Sequence, residues 1–247
     1  FAGDAMQHKA QIDAARAGDG YDYSACFEAI AHEVAGVDYA VVNLEVPTGG
    51  VPYMGYPCFS APDEFPIALQ KAGFDLFLTA NNHCLDRYTR GARRTLHLLD
   101  SIGTDHVGTY ISTESSERSH PLMVQVNGIR IAFLNYTYGT NGFSPTLPFV
   151  VNYIDSTKIK KDIHRAKALN AELIVACLHW GDEYQLLPNK RQKELADLLV
   201  NEGVQLVIGT HPHVIQPMEL RYDPQGNPRA LVVYSLGNFI SNMKTRD

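Results

Sequence analysis

This sequence is short of cysteine, of positive charge and of long apolar runs, and each shortage removes a class of protein. The four cysteines (Cys26, Cys58, Cys84, Cys177) are scattered and form no CxxC pair. That excludes a zinc ribbon and disfavours a disulfide framework, and it leaves the redox compartment open. Cys177 sits inside an apolar run, where a thiol is most simply a small buried hydrophobe. With 21 Lys and Arg against 27 Asp and Glu, the formal net charge is −6. No basic cluster alternates with aromatics, so the balance argues against a nucleic-acid partner, whose footprint would be basic. No apolar stretch approaches a membrane span. Repeats, low-complexity tracts and linkers are missing too.

What is present suits one globular α/β domain: 247 residues, 45% hydrophobic and 19% charged. The chain starts inside an expected strand without an initiator Met, and it stops just after another apolar run. A single domain over 1–247, incomplete at both ends, is expected. A removed targeting segment would leave no trace, so its absence carries no information on location.

Five apolar, strand-like runs each end in polar residues. Val204 to Gly209-Thr210 leads into His211-Pro212-His213, and Leu173 to Leu178 leads into His179-Trp180-Gly181. Phe74 to Leu78 precedes Asn81-Asn82-His83, Tyr39 to Val42 precedes Asn43-Leu44-Glu45, and the chain opens on Phe1-Ala2-Gly3-Asp4. Buried parallel strands read as short apolar runs, and ligands bind outside their carboxyl ends. Together these ends predict one site. Imidazoles joined by carboxylates suit Zn, Mn or Fe better than Mg or Ca. His211 and His213, two apart on an extended segment, are expected to point the same way.

Between these runs the pattern alternates. Helices are expected around 23–34, from 61–63, from a Thr89 cap to Gly103, near 155–169 and near 189–200. Asn127-Gly128 between two apolar runs is a type I′ hairpin signal. The tail, 215–221 and 231–234, reads as antiparallel, so a mixed sheet system with outer helices fits best. The loop 47–62, rich in Gly, Pro and Tyr, is long enough for a lid or substrate loop.

The motifs Gly3-Asp4-Ala5-Met6, Asn43-Leu44-Glu45, Asn81-Asn82-His83 with Asp86, His179-Trp180-Gly181, Gly209-Thr210-His211-Pro212-His213 and Tyr234-Ser235-Leu236-Gly237-Asn238-Phe239 occur in that order. In this the chain resembles the capsule-synthesis proteins of the CapA, or poly-γ-glutamate synthesis, type, relatives of the calcineurin-like metallophosphoesterases. The resemblance implies a four-layer α-β-β-α sandwich of two mixed sheets. It implies one or two divalent ions held by Asp4, Glu45, Asn82, His179, His211 and His213. His83 matches the histidine that protonates the leaving group, with Asp86 orienting it. Trp180 and Tyr136 are read as a stacking wall for substrate or else as core. Asn238 and Arg87 are placed at the substrate, Arg87 as a group near enough to His83 to meet an anion.

The pattern departs from the phosphoesterases twice. Met6 stands where they carry a His, with His8 as a nearby substitute, and Glu45 replaces a shorter bridging Asp. The resemblance implies a metal-dependent hydrolase-like protein in the making, release or export of an envelope polymer. The substrate would be an anionic polymer or a phosphoester, the partners membrane-bound synthesis subunits, and the location the cell envelope. The alternative is a non-catalytic polymer-binding or assembly subunit that retains a metal-derived pocket.

Overall fold

A computed structural model describes residues 1–243, so the last four positions of the expected 1–247 domain lie outside the described residues. Eleven strands, numbered in chain order, build two facing sheets. The first sheet takes β1 (Ala2–Ala5), β2 (Val41–Leu44), β3 (Leu76–Leu78), β4 (Asp105–Val107) and, from the far end of the chain, β11 (Asn238–Ile240). The second takes β5 (Leu122–Val126), β6 (Ile129–Thr137), β7 (Leu173–His179), β8 (Leu206–Thr210), β9 (Met218–Tyr222) and β10 (Pro228–Val233).

The spatial order is β11-β1-β2-β3-β4 in the first sheet and β9-β10-β8-β7-β6-β5 in the second. The second sheet is mixed, with antiparallel β9 and β5 flanking four parallel strands. The first is parallel throughout, which refines the expectation of two mixed sheets. Its strands β1 to β4 follow one another through helical crossovers, and a crossover returns the chain in the same direction.

Strand periodicity sorts the core into layers. In β7, Val175 and Cys177 face the other sheet and pack with Val41, Leu76, Leu78, Phe133, Ile208 and Val233. Ala176 and Leu178 face outward. There they meet Ile159 and Ile163 of α3 (Ser156–Ala168) and Ala196 and Leu199 of α4 (Lys190–Asn201). On the far side, Val42, Leu44 and Phe77 pack under Phe65 and Leu69 of α1 (Glu64–Lys71) and Leu99 of α2 (Tyr88–Ser101). The result is helices, sheet, sheet, helices. That is the four-layer fold expected.

Local signals hold in most places. Asn127 (φ 49°) and Gly128 (φ 86°) make the tight turn between β5 and β6. Asp155 caps α3 by accepting from the Lys158 N–H, and Asn189 with Gln192 forms a capping box on α4. One expectation fails. Thr89 does not cap α2; it lies inside the helix, and its hydroxyl accepts from the Thr146 N–H. The region expected to be helical near 23–34 is helical over 24–35, in three short pieces with Phe27 (φ −117°) and Ile30 (φ −113°) at the junctions.

Candidate metal centre

The carboxyl ends of β1, β2, β7 and β8 deliver buried acid and imidazole groups to one place. Asp4 pairs in register with Asn43 on one side and Asn238 on the other. The Asn43 amide donates to Asp4 Oδ1 at 2.7 Å and lies 3.4 Å from Glu45 Oε2 and from His179 Nδ1. Asn43 and Glu45, two residues apart, thus share a side. Asn82 Oδ1 sits 2.9 Å from His179 Nε2, and the Thr210 hydroxyl 3.0 Å from its Nδ1. Gly209 has no room for a side chain: a Cβ there would fall 1.9 Å from the Tyr234 carbonyl oxygen.

His211 and His213 converge for a reason other than the one expected. β8 ends at Thr210, and the segment is not extended: His211 has φ 96° and His213 φ 59°. Such values are uncommon outside glycine and cost energy, and they cluster where function needs a side chain aimed. The turn is held from below, since the His211 N–H donates to Asp4 Oδ2 at 3.2 Å. The two imidazoles end 5.7 Å apart, and His211 lies 4.8 Å from His179.

Three overlapping groups of donor atoms result, each within 4.8 Å: Asp4, Glu45 and His213; Glu45, His179 and His211; Glu183, His211 and His213. Several buried atoms here have no hydrogen-bond partner, among them Glu45 Oε1, His211 Nδ1 and His213 Nε2. An orphaned buried polar atom costs about 1–3 kcal/mol. Three beside one another fit a cation that would pair with all of them. His213 Nδ1 faces two acceptors, Asp4 Oδ2 at 3.1 Å and Asn238 Oδ1 at 3.0 Å. An Nδ1 proton is therefore held there, and Nε2 is left without a hydrogen-bond partner.

Burial and neighbouring charge perturb these groups strongly. Glu45 is fully buried, and desolvation, followed by the charge of Asp4, pushes its pKa well above the usual carboxylate range. Desolvation also drives His179 well below its ordinary value, with His211 and His213 adding to the effect. His211 is lowered to about 4 by burial and then by His213. Burial opposes the charged form of His213, but its hydrogen bond to Asp4 and the Asp4 charge prevail, and its pKa is raised.

Beside the donors, His83 Nδ1 contacts Asp86 Oδ2 at 2.7 Å, and the same oxygen accepts from the Phe59 N–H at 2.8 Å. The Phe59 ring stands edge-on to His83 at 4.7 Å. The 47–62 loop therefore roofs His83 and helps hold Asp86, which orients the imidazole and is more than a charge near a helix start.

The whole described chain, residues 1–243, matches the family described as Bacterial capsule synthesis protein PGA_cap. This chain belongs to that family. It is 30% identical over 195 residues to the capsule biosynthesis protein CapA of Bacillus anthracis, covering 73% of this chain and 43% of that protein. It is 32% identical over 185 residues to the PGA biosynthesis protein CapA of Bacillus subtilis (strain 168), covering 72% and 46%. The chain thus spans under half the length of these curated relatives. Among solved structures it is similar to the NAD nucleotidase of Haemophilus influenzae (TM-score 0.55, 12% identity, 87% of this chain, 43% of that one). A 5′-nucleotidase precursor from Thermus thermophilus gives TM-score 0.54 at 15% identity, covering 87% and 42%. At such identities the likeness concerns the fold, which is metallophosphoesterase-like.

Within this capsule-synthesis fold the remaining expected site residues separate. Asn238 supports the centre through His213. Tyr136 is a correction: it is fully buried among the residues under α3, and its hydroxyl donates to Asp162 at 2.8 Å. It lies on the helix-facing side of β6, away from the donors. Trp180 is likewise core, stacked on Tyr234 and donating to that residue's carbonyl at 2.9 Å. It also lines a cavity of about 470 Å³, together with Tyr138, Asp182, Asn189 and Arg191. A cavity of similar size, about 500 Å³, lies by Tyr23 and α1, away from the donors.

Arg87 is also corrected. Its stem packs where Gly49 and Gly91 leave space, and its guanidinium is turned to Met54 Sδ at 3.3 Å. Met6 is fully buried in the core under the helices. His8 joins none of the donor groups; its Nδ1 lies against Gln11 Oε1 and accepts from the Asn242 N–H. Reasoning from sequence also passed over three neighbours. Asn43 was visible as the i−2 partner of Glu45. Tyr138, whose ring lies 4.6 Å from His211, and Glu183 sit in turns that carry no strand signal.

Proposed function

We propose that this domain is a metal-dependent hydrolase acting on an envelope polymer of the poly-γ-glutamate kind, or on a phosphoester linked to its assembly. The observation that carries the reading is the set of orphaned, buried Glu45, His211 and His213 atoms at the meeting point of three donor groups. Asp4, Glu45, Asn82, His179, His211 and His213 would hold one or two divalent ions, and the imidazole content favours Mn, Fe or Zn. A bound ion would supply Lewis acidity and a hydroxide near neutral pH. Asp86 takes up Nδ1 of His83, which leaves Nε2 as the atom that hands a proton to the leaving group. Asn43 keeps Asp4 and Glu45 aligned, and Phe59 shields the His83–Asp86 pair from water.

The names of the curated relatives support the capsule role and, with it, a place at the cell envelope; the partners in this reading are membrane-bound synthesis subunits. Among the described residues no helix is long and apolar enough to cross a membrane. A second reading, a polymer-binding or assembly subunit that keeps a metal pocket, is favoured by one observation: Met6 withdraws a donor into the core.

Metal content and turnover separate the two. Protein purified without chelator is expected to carry one to two equivalents of Mn, Fe or Zn by elemental mass spectrometry, lost in His211→Ala. His83→Ala is expected to keep the metal and lose about 10²–10⁴ in turnover of a phosphodiester or a γ-glutamyl polymer. Metal without turnover of either substrate would favour the assembly subunit. No metal after reconstitution would end the hydrolase reading.

A further inference from the structure

We propose that Glu183, an exposed residue outside the strand ends, is an additional metal ligand that closes the centre from its solvent side. This rests on reading the site as a metal centre. A Glu183 carboxylate oxygen and one ring nitrogen each of His211 and His213 lie within 4.8 Å of one another. Both imidazoles are more than nine-tenths buried, and His211 Nδ1 and His213 Nε2 lack partners. Those two histidines also belong to the other two donor groups, so Glu183 bridges them across the mouth.

The fold places Glu183 here. The turn that carries it has Gly181 at φ 87° and Tyr184 at φ 61°, and the Tyr184 N–H donates to the Pro212 carbonyl at 2.8 Å. That bond ties the turn to the His211–His213 segment. At its other end the turn presses on α4, since a Cβ on Gly181 would fall 2.7 Å from the Gln192 side chain. The Glu183 charge reaches inward: it acts on both Glu45 and His213.

Charge counting gives the chemical reason. Asp4 and Glu45 are the only acids among the buried donors, and two divalent ions would bring four positive charges against their two negative ones. In a site of low polarity the excess is costly. The turn after the first strand supplies no further donor: Met6 is core, and His8 joins none of the donor groups. A third carboxylate lowers the excess to one.

The test uses the 247-residue protein, with Co(II) absorption titration and metal stoichiometry after dialysis, on wild type, Glu183→Gln and Glu183→Asp. We expect both variants to keep wild-type circular dichroism, to bind one ion at least tenfold more weakly, and to show an altered Co(II) ligand-field band. Wild-type stoichiometry and affinity in Glu183→Gln would overturn the assignment while leaving the metal centre standing. Weak binding in Glu183→Gln with wild-type binding in Glu183→Asp would make Glu183 a charge at the mouth and overturn ligation. A wild-type protein that takes up no Co(II) would overturn the assignment and the centre together.

Discussion

Two buried clusters in this protein combine histidine with carboxylate, and they treat their polar atoms in opposite ways. In the first, under α3, His120 Nδ1 meets the Tyr110 hydroxyl at 2.9 Å, while Nε2 meets Asp162 at 3.1 Å and Tyr136 at 3.2 Å. Asp162 also accepts from Tyr136 and from Lys158, each at 2.7–2.8 Å. Burial alone would raise the Asp162 pKa, but its bonds to His120 and Lys158 hold it well below the ordinary value. His120, Tyr110, Tyr136 and Asp162 leave no buried atom unpaired, and the one orphan beside them is Oδ1 of Asn152, whose amide lies 3.4 Å from His120 Nδ1. At the strand ends, Glu45, His211 and His213 do the reverse. A satisfied network is a structural element, whereas a set of convergent orphans is stability given up for a ligand. Residue type alone does not tell them apart.

The comparison breaks most visibly at its satisfied end. His120→Ala takes one partner from Asp162 and from the Tyr110 and Tyr136 hydroxyls, and removing one partner of a buried pair costs roughly 3–5 kcal/mol. That corresponds to a fall in Tm of about 6–20 °C for a chain of this size. Calorimetry should show this loss with metal content unchanged. A stable variant, or one depleted of metal, would merge the two clusters.

Acid sharpens the contrast. The pKa of His211 is lowered from 6.5 to about 4. A histidine whose folded pKa lies below its unfolded value contributes stability above pH 6.5 that is lost as pH falls through about 4. His213, with a raised pKa, runs the other way: its contribution is present below 6.5 and fades as pH rises through its folded value. Urea melts of the chelated protein from pH 7 to 4 should therefore show a decline of up to about 3 kcal/mol assignable to His211. His211→Asn should flatten it, and identical slopes in the two proteins would refute the assignment.

The smallest effect belongs to Tyr136→Phe. Losing a hydroxyl from the satisfied network should cost about 1 kcal/mol. Metal binding should not change, because that hydroxyl faces α3; weakened metal uptake would return Tyr136 to the site.

The contrast also shows which parts of the site were legible. Asp4, Glu45, Asn82, His83, His179, His211 and His213 each follow an apolar run, and strand periodicity is a local property that a sequence displays. Tyr136 and Tyr138 show where it fails. Both stand near the end of β6 with the same spacing parity, yet Tyr136 faces the helices and the Tyr138 ring packs on His211. The strand stops at Thr137, and beyond it parity says nothing about direction. Glu183 escaped for the same reason, since only the Tyr184–Pro212 hydrogen bond brings its turn to the donors.

From its own pattern the sequence determined the alternation of strands and helices, the Asn127-Gly128 hairpin and the places of α3 and α4. Tertiary structure alone decided the parallel first sheet, the left-handed turn that aims His211 and His213, and which buried histidines are satisfied. The first group depends on propensity and spacing within a few residues. The second depends on where atoms far apart in the chain come to rest, and hydrogen-bond satisfaction is a property of that arrangement.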